Sequence, residues 1–317
     1  MADYIKLVKS LEELIAFKAS NDFVTPNVTA IFGDTIVDYN LKVPNYLKFT
    51  AEEDNSTISL NAKTSPDIKY SLNGGDWTQW DYSAITLNIG DTVRMKGNNS
   101  NGFSTSNSNS SYNQFKMTGK IGASGNIMSL LYDNNFEGKL TISRNYCFYG
   151  MFYGCGSLTT APELPATTLV GGCYSYMFKD CTTLTTAPEL PATTLAPDCY
   201  YDMFSGCTSL TTAPELPATT LANNCYESMF SGCTSLTVAP VLPATTLALF
   251  CYSGMFYNCV NINYIKMLAT DISAKYCLDG WVNGVSSTGT FVKHPNMTSL
   301  PTGVSGIPTG WTVQDVA

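Results

Sequence analysis

Histidine occurs once, as His294, and charged residues make up only 13% of the chain, with a net charge of -8. One imidazole, set before Pro295 where a surface loop is expected, gives no basis for a histidine triad or a multi-histidine metal site. The acidic balance argues against nucleic acid, which requires a basic stripe. It argues equally against an anionic membrane surface, which requires clustered Lys and Arg. No window approaches the roughly 18 consecutive apolar residues of a membrane span, so no membrane insertion is expected. Neither GxxxxGK[ST] nor GxGxxG occurs, which removes the common phosphate-binding loops. Many acids could be drawn into a glycosidase pair, but nothing in the sequence singles one out. The expectation is a non-enzymatic protein with no cofactor and no metal. The first residues, MADYIKLVKSLEELIAFKASNDF, lack an uninterrupted apolar core and a small-residue cleavage site, so synthesis in the cytoplasm without the general export route is expected.

What the chain does have is a strict period of 26 residues. One cysteine series is Cys147, Cys173, Cys199, Cys225, Cys251 and Cys277, and a second is Cys155, Cys181, Cys207, Cys233 and Cys259; together they account for all eleven. Met151, Met177, Met203, Met229 and Met255 keep the step, each followed by Phe, and so do the pairs Pro162/Pro165, Pro188/Pro191, Pro214/Pro217 and Pro240/Pro243. A period without insertions predicts a solenoid in which each coil buries its apolar face against its neighbours. Within a coil, CYxxMFxxC places Cys, Met/Phe and Cys at helical spacing and reads as a short helical turn. SLTTAPEL and PATTL read as extended edges, because Pro forbids helix and β-branched Thr favours strand. Cys is small, buries well and donates weakly, so the eleven cysteines read as a structural core ladder. The sharper alternatives are a disulfide ladder and a zinc site, the latter lacking the short Cys spacings that zinc prefers.

The blocks MFYGCGSLT from Met151 and MFSGCTSLT from Met203 and Met229 resemble the BspA-like, or treponemal-type, leucine-rich repeats over about residues 140 to 290. In that family the position of Cys173 and its equivalents usually carries an aliphatic residue. The 26-residue period and the Pro-rich APELPATTL depart from the common family repeat. The resemblance implies leucine-rich-repeat solenoids that serve adhesion on the surfaces of gut and oral bacteria, with similar repeats in proteins of their phages. Toward the C-terminus the pattern decays, Trp281 standing for Met and Val285 for Cys. Residues 288–317 then read as a cap, with Phe291, Leu300, Ile307 and Trp311 sealing the last coil.

Before the repeats, residues 45–139 hold short alternating runs separated by Asn, Gly, Ser and Asp turns, including a hairpin signal around Asn73-Gly74-Gly75. They predict an antiparallel β-sandwich or jelly-roll-like domain, with 98–114 as a long exposed loop. Residues 1–44 predict a short helix over 11–19, capped by Ser10 and Glu13, and a hairpin around Gly33-Asp34. The predicted fold class is thus multidomain and mainly β. It comprises an anchoring or oligomerising arm (1–44), a sandwich-like domain (45–139), a leucine-rich-repeat solenoid (140–287) and a cap (288–317).

Between copies the framework is held and a few letters change. They are VGG, APD, ANN and ALF at 170–172, 196–198, 222–224 and 248–250, and SY, YD, ES and SG at 175–176, 201–202, 227–228 and 253–254. Repeat proteins present binding surfaces in this way. The candidate ligand-contact residues are Tyr174, Tyr176, Tyr200, Tyr201, Asp202, Tyr226, Glu227 and Tyr252. The row of tyrosines after each first cysteine reads either as packing or as a contact platform. Glu163, Glu189 and Glu215 recur at one step per coil, and Val241 breaks the row, which favours solvated carboxylates over an ion site. The functional expectation is a phage virion surface protein, a head or tail fibre or decoration protein. Its arm would bind other virion proteins and support a homo-oligomer, with a trimer as the guess. Its repeats would bind a host surface glycan or protein. The alternative is a bacterial cell-surface adhesin exported by another route.

Overall fold

The computed structural model describes residues 44–107 and 112–316, and the backbone of 27–32 and 35–40. The predicted helix over 11–19 and its Ser10/Glu13 cap lie outside the described residues. Strands β1 (Asn27–Phe32) and β2 (Thr35–Asn40) pair antiparallel, Asn27 opposite Asn40.

The segment before the repeats forms two sheets. β3 (Leu47–Ala51) and β4 (Ser56–Asn61) alternate buried and partly exposed residues, so Leu47, Phe49, Ile58 and Leu60 face the core, as strand periodicity requires. β5 (Lys69–Leu72) turns into β6 (Thr78–Gln79) through Asn73 and Gly74, whose φ angles are 49° and 77°. Two consecutive positive φ values define the type I′ turn that suits a hairpin. β7 (Ile85–Leu87), β4 and β9 (Gln114–Thr118) make one sheet in the order β7-β4-β9. The larger sheet contains β8 (Thr92–Lys96), β10 (Ile121–Ser124) and β11 (Leu158–Thr160), in the order β11-β10-β3-β8-β5-β6. β11 already belongs to the first repeat and pairs parallel with β10, Ile121 lying opposite both Ala51 and Leu158. The region is therefore no self-contained sandwich. α1 (Ser129–Tyr132) and a 3-10 turn (Asp133–Asn135) lead into the repeats.

Within the repeats CYxxMFxxC is not helical. It is a run of overlapping β-turns in which backbone N–H groups take two kinds of partner in alternation. Met177, Lys179 and Cys181 donate three residues back, to Tyr174, Tyr176 and Phe178. Tyr174, Tyr176, Phe178 and Asp180 donate instead to the next repeat, to the carbonyls of Cys199, Tyr201, Met203 and Ser205. The same four files continue through Tyr200, Asp202, Phe204 and Gly206, and on to Tyr252, Gly254, Phe256 and Asn258. Every fourth residue is left-handed: Gly172, Tyr176 and Asp180 have φ of 61°, 59° and 60°, and Asp198, Asp202 and Gly206 have 57°, 53° and 76°. A left-handed residue at that interval cannot continue an α-helix but fits the third position of a type II turn.

The other edges of the repeats are joined mainly by isolated parallel bridges, such as Thr186 to Thr212 and Thr194 to Thr220. Two prolines per repeat remove two ladder donors. Where NYIKML replaces TVAPVL, a regular strand forms: β12 (Tyr264–Met267) pairs parallel with β13 (Thr290–Lys293), and β13 with β14 (Thr312–Asp315). The predicted fold class is therefore corrected. Among the described residues the chain is mainly β with one short helix and several small sheets, and these make neither a closed barrel nor a solenoid of strand-bearing coils.

One apolar core runs from Tyr46 to Trp311 without dividing near 139 or 287. Two ladders of rings form its spine. Phe115, Phe152, Phe178, Phe204, Phe230 and Phe256 stack at 5.4–5.9 Å between centroids, followed by Trp281 and Phe291. Phe103, Phe148, Tyr174, Tyr200, Tyr226 and Tyr252 form the second, at 5.7–6.3 Å. Each such pair contributes roughly 0.5–1.5 kcal/mol beyond its burial. Phe103 and Phe115, contributed by the segment before the repeats, start both ladders. At the far end Phe291, Ile307 and Trp311 are buried, and Leu300 is partly so.

Candidate functional site

All eleven cysteines are buried free thiols. In the second series, Cys155, Cys181, Cys207, Cys233 and Cys259 donate to carbonyls of the preceding rung, those of Phe115, Phe152, Phe178, Phe204 and Phe230, at 2.9–3.2 Å. Burial pushes the thiols of Cys147, Cys155, Cys173, Cys225 and Cys259 up to about 12. Thiols that stay protonated are poor nucleophiles and poor metal ligands. Among the described residues no group of three or more His, Cys, Asp and Glu is placed to hold a metal ion.

Four of the predicted contact residues need correction. Tyr174, Tyr200, Tyr226 and Tyr252 are at most 1% exposed and belong to the second core ladder. Their position directly after a buried cysteine turns each ring inward. Burial raises all four phenols well above their usual range. Tyr176, Tyr201 and Glu227 are partly exposed together on the outer face of the turn run, and Asp202, only 7% exposed, is buried beside them, with partners the repeat pattern alone did not single out.

A third file of rings lies there, half-buried: Tyr112, Tyr149, Tyr176 and Tyr201, with centroids 5.2 Å apart at each step. Tyr146 joins edge-on to Tyr149 at 6.1 Å. Small residues make room for these rings. A Cβ on Gly172 would lie 2.4 Å from the Tyr146 ring, and one on Gly150 would lie 3.0 Å from that of Tyr112. Ser175 faces the file as a small neighbour and donates its hydroxyl to the Asp198 carbonyl. A hydrogen bond joins the Tyr176 and Tyr201 hydroxyls, and burial above all raises both phenols. Tyr149 is pushed up to about 12, chiefly by burial.

Acidic side chains continue the file. The Lys179 ammonium lies 5.0 Å from the Tyr176 ring centroid and bonds the Asp202 carboxylate at 3.0 Å. Asp198 Oδ1 accepts from Asn224 Nδ2 at 2.9 Å. Glu227 is partly buried beside both acids, and burial first, then Asp202 and Asp198, pushes its carboxyl up to about 7. Asn107, Tyr146, Tyr149, Ser175, Tyr176, Asp198 and Tyr201 enclose an open cleft of about 220 Å³. Ring faces beside carboxylates and hydroxyls offer apolar contact and hydrogen-bond acceptance on one surface, the mixture that suits a polyhydroxylated ligand.

Sequence reasoning missed Tyr112, Tyr146, Tyr149, Lys179 and Asp198. The signal was present in RNYCFY, where Tyr146 and Tyr149 stand at the spacing of the following Gly172/Ser175 and Asp198/Tyr201 pairs. Glu163, Glu189 and Glu215 are exposed on the opposite, Pro-rich edge, and Asn45 donates to Glu163 at 2.8 Å. His294 accepts from the Asn296 N–H through Nδ1 at 3.1 Å and takes no part in the cleft. Comparison of the chain with family models, curated proteins and solved structures gives no match.

Proposed function

We propose that this chain is a non-enzymatic surface protein of a phage particle, a head or tail fibre or decoration protein, whose repeat region adheres to a host-surface glycan or protein. The observation that carries the binding role is the half-buried file Tyr112–Tyr149–Tyr176–Tyr201 ending in Asp202, Asp198 and Glu227. The buried ladders give that file a rigid backing, so its rings bind without a large ordering cost. Carboxylates and phenols accept hydrogen bonds from sugar hydroxyls, and the rings cover apolar sugar faces. The particle setting is supported by the resemblance of the MFxGCxSLT blocks to BspA-like repeats. In this reading the arm at 1–44 joins the protein to other virion proteins as part of a homo-oligomer.

Two measurements test the proposal. Mass spectrometry of purified particles should find the protein there; its presence on washed bacterial cells and absence from particles would favour the bacterial adhesin instead. In a pull-down on host cells, replacing Tyr176 and Tyr201 together by Ala should lower binding at least tenfold with the melting curve little changed. Unaltered binding would remove the tyrosine file from the function.

A further inference from the structure

A larger polar cleft adjoins the tyrosine file. It measures about 510 Å³ and is lined by Asn101, Thr105, Ser143, Arg144 and Asn145. The linings of the two clefts are neighbours along the chain on both walls. Ser143, Arg144 and Asn145 lead directly into Tyr146, and Asn101 and Thr105 lead into Asn107. Arginine occupies two positions in the sequence, Arg94 and Arg144. Arg94 is buried in the sheet region and Arg144 is exposed. The one exposed guanidinium therefore stands in the larger cleft. Among the described residues its hydrogen-bond partner is Asn101 Oδ1 at 3.3 Å, and none of the ion pairs includes it.

We infer that this cleft is a subsite for the carboxylate of an acidic sugar, a uronic- or sialic-type residue, within the same glycan that covers the tyrosine file; the inference rests on the adhesive reading above. Guanidinium presents donors in a rigid fork matched to a carboxylate, which ammonium does not. Asn101, Thr105, Ser143 and Asn145 add neutral amides and hydroxyls around that fork, suited to the ring hydroxyls of the same sugar. A net charge of -8 repels a polyanion from the molecule at large. Recognition of an acidic glycan thus requires a local cation, and the tyrosine cleft, with Asp198 in its lining and Asp202 and Glu227 close by, then accepts only neutral hydroxylated residues. The two clefts fix the direction in which the glycan lies.

The test uses the full chain and oligosaccharides with a single acidic sugar on a neutral chain, sialyllactose and glucuronyl-xylobiose, each against its carboxyl-reduced neutral form, with dextran sulfate as a general polyanion, read by calorimetric titration. At least one acidic form should bind tenfold or more tighter than its reduced counterpart. Arg144→Gln should abolish that preference, and Arg144→Lys should lose most of it. Tyr176→Ala should weaken the acidic and reduced forms alike. Circular dichroism melts of these surface variants separate loss of binding from loss of fold. A preference that survives Arg144→Gln, dextran sulfate binding as tightly as the best acidic form, or no preference in any pair would each overturn the carboxylate subsite. Loss of reduced-form binding in Tyr176→Ala would still uphold the adhesive file. Binding of no oligosaccharide, together with unchanged cell adhesion in the tyrosine variants, would remove both.

Discussion

Glu227 shows how one side chain couples the surface to stability. In the folded protein its carboxyl is pushed up to about 7, from an ordinary 4.5, by burial and by the neighbouring Asp202 and Asp198. An acid whose folded pKa is raised holds its proton more tightly in the native state than when unfolded. Its contribution is therefore complete below the unfolded value and is lost as pH rises through about 7. Glu227→Gln should remove this part of the pH dependence. Differential scanning fluorimetry should show the wild-type melting temperature falling between pH 5 and 8 relative to the variant, and parallel curves would contradict the assignment. At this scale the sequence was legible where size decided the outcome: cysteines at fixed intervals had to be buried, and they are. It was not legible for tyrosines. Tyr174 and Tyr176 are two residues apart, yet one lies in the core ladder and the other on the surface, because the turn between them sets which way each ring points.

The run of turns explains where element prediction failed. Spacing of Cys, Met and Phe mimics a helical face, but the letters at 154, 180, 206, 232, 258 and 284 are Gly, Asp, Gly, Gly, Asn and Gly, the residues most tolerant of left-handed backbone. All six have positive φ. That column of small and polar letters was the available sign against a helix. The changing letters at 172, 198, 224 and 250, and at 176, 202, 228 and 254, also fall on left-handed positions, so their variation reflects backbone geometry as well as exposure. On the opposite edge, proline decides between bridge and strand. Lys266 stands in β12 where Pro240 stands one repeat earlier, and its strand pairs with β13 through Val292. Thr290 N–H donates to Asn263, so the N–H of Val292, two residues on, also faces β12, and Val292→Pro should interrupt that ladder at a cost of about 1–3 kcal/mol, measured by urea denaturation. No loss of stability would mean that the β12–β13 pairing contributes little.

On the scale of the whole molecule, the sheets before the repeats, the turn runs and the closing strands share one core. Boundaries drawn from composition near 139 and 287 mark changes in sequence style and leave the packing continuous. β11 pairs with β10, and Phe103 and Phe115 open ladders that the repeats extend. Each repeat bonds mainly to its neighbours, so an intact copy should be removable. Deleting 225–250 brings Cys251 to the place of Cys225, where its carbonyl can accept from Tyr200 as that of Cys225 does now. The shortened chain should retain its far-ultraviolet spectrum and melt cooperatively at a lower temperature; an aggregated or unfolded product would show that the copies are not equivalent. The four hydrogen-bond files have an electrical consequence. In each, a peptide group turns its carbonyl toward the preceding repeat and its N–H toward the next, as at Cys173–Tyr174 between Phe148 and Cys199. Peptide dipoles so aligned add along the stack as they do along a helix axis. The molecule is thus polarised end to end, with its positive pole at the face closed by Val304 and Ser305, which accept from Val282 and Gly280.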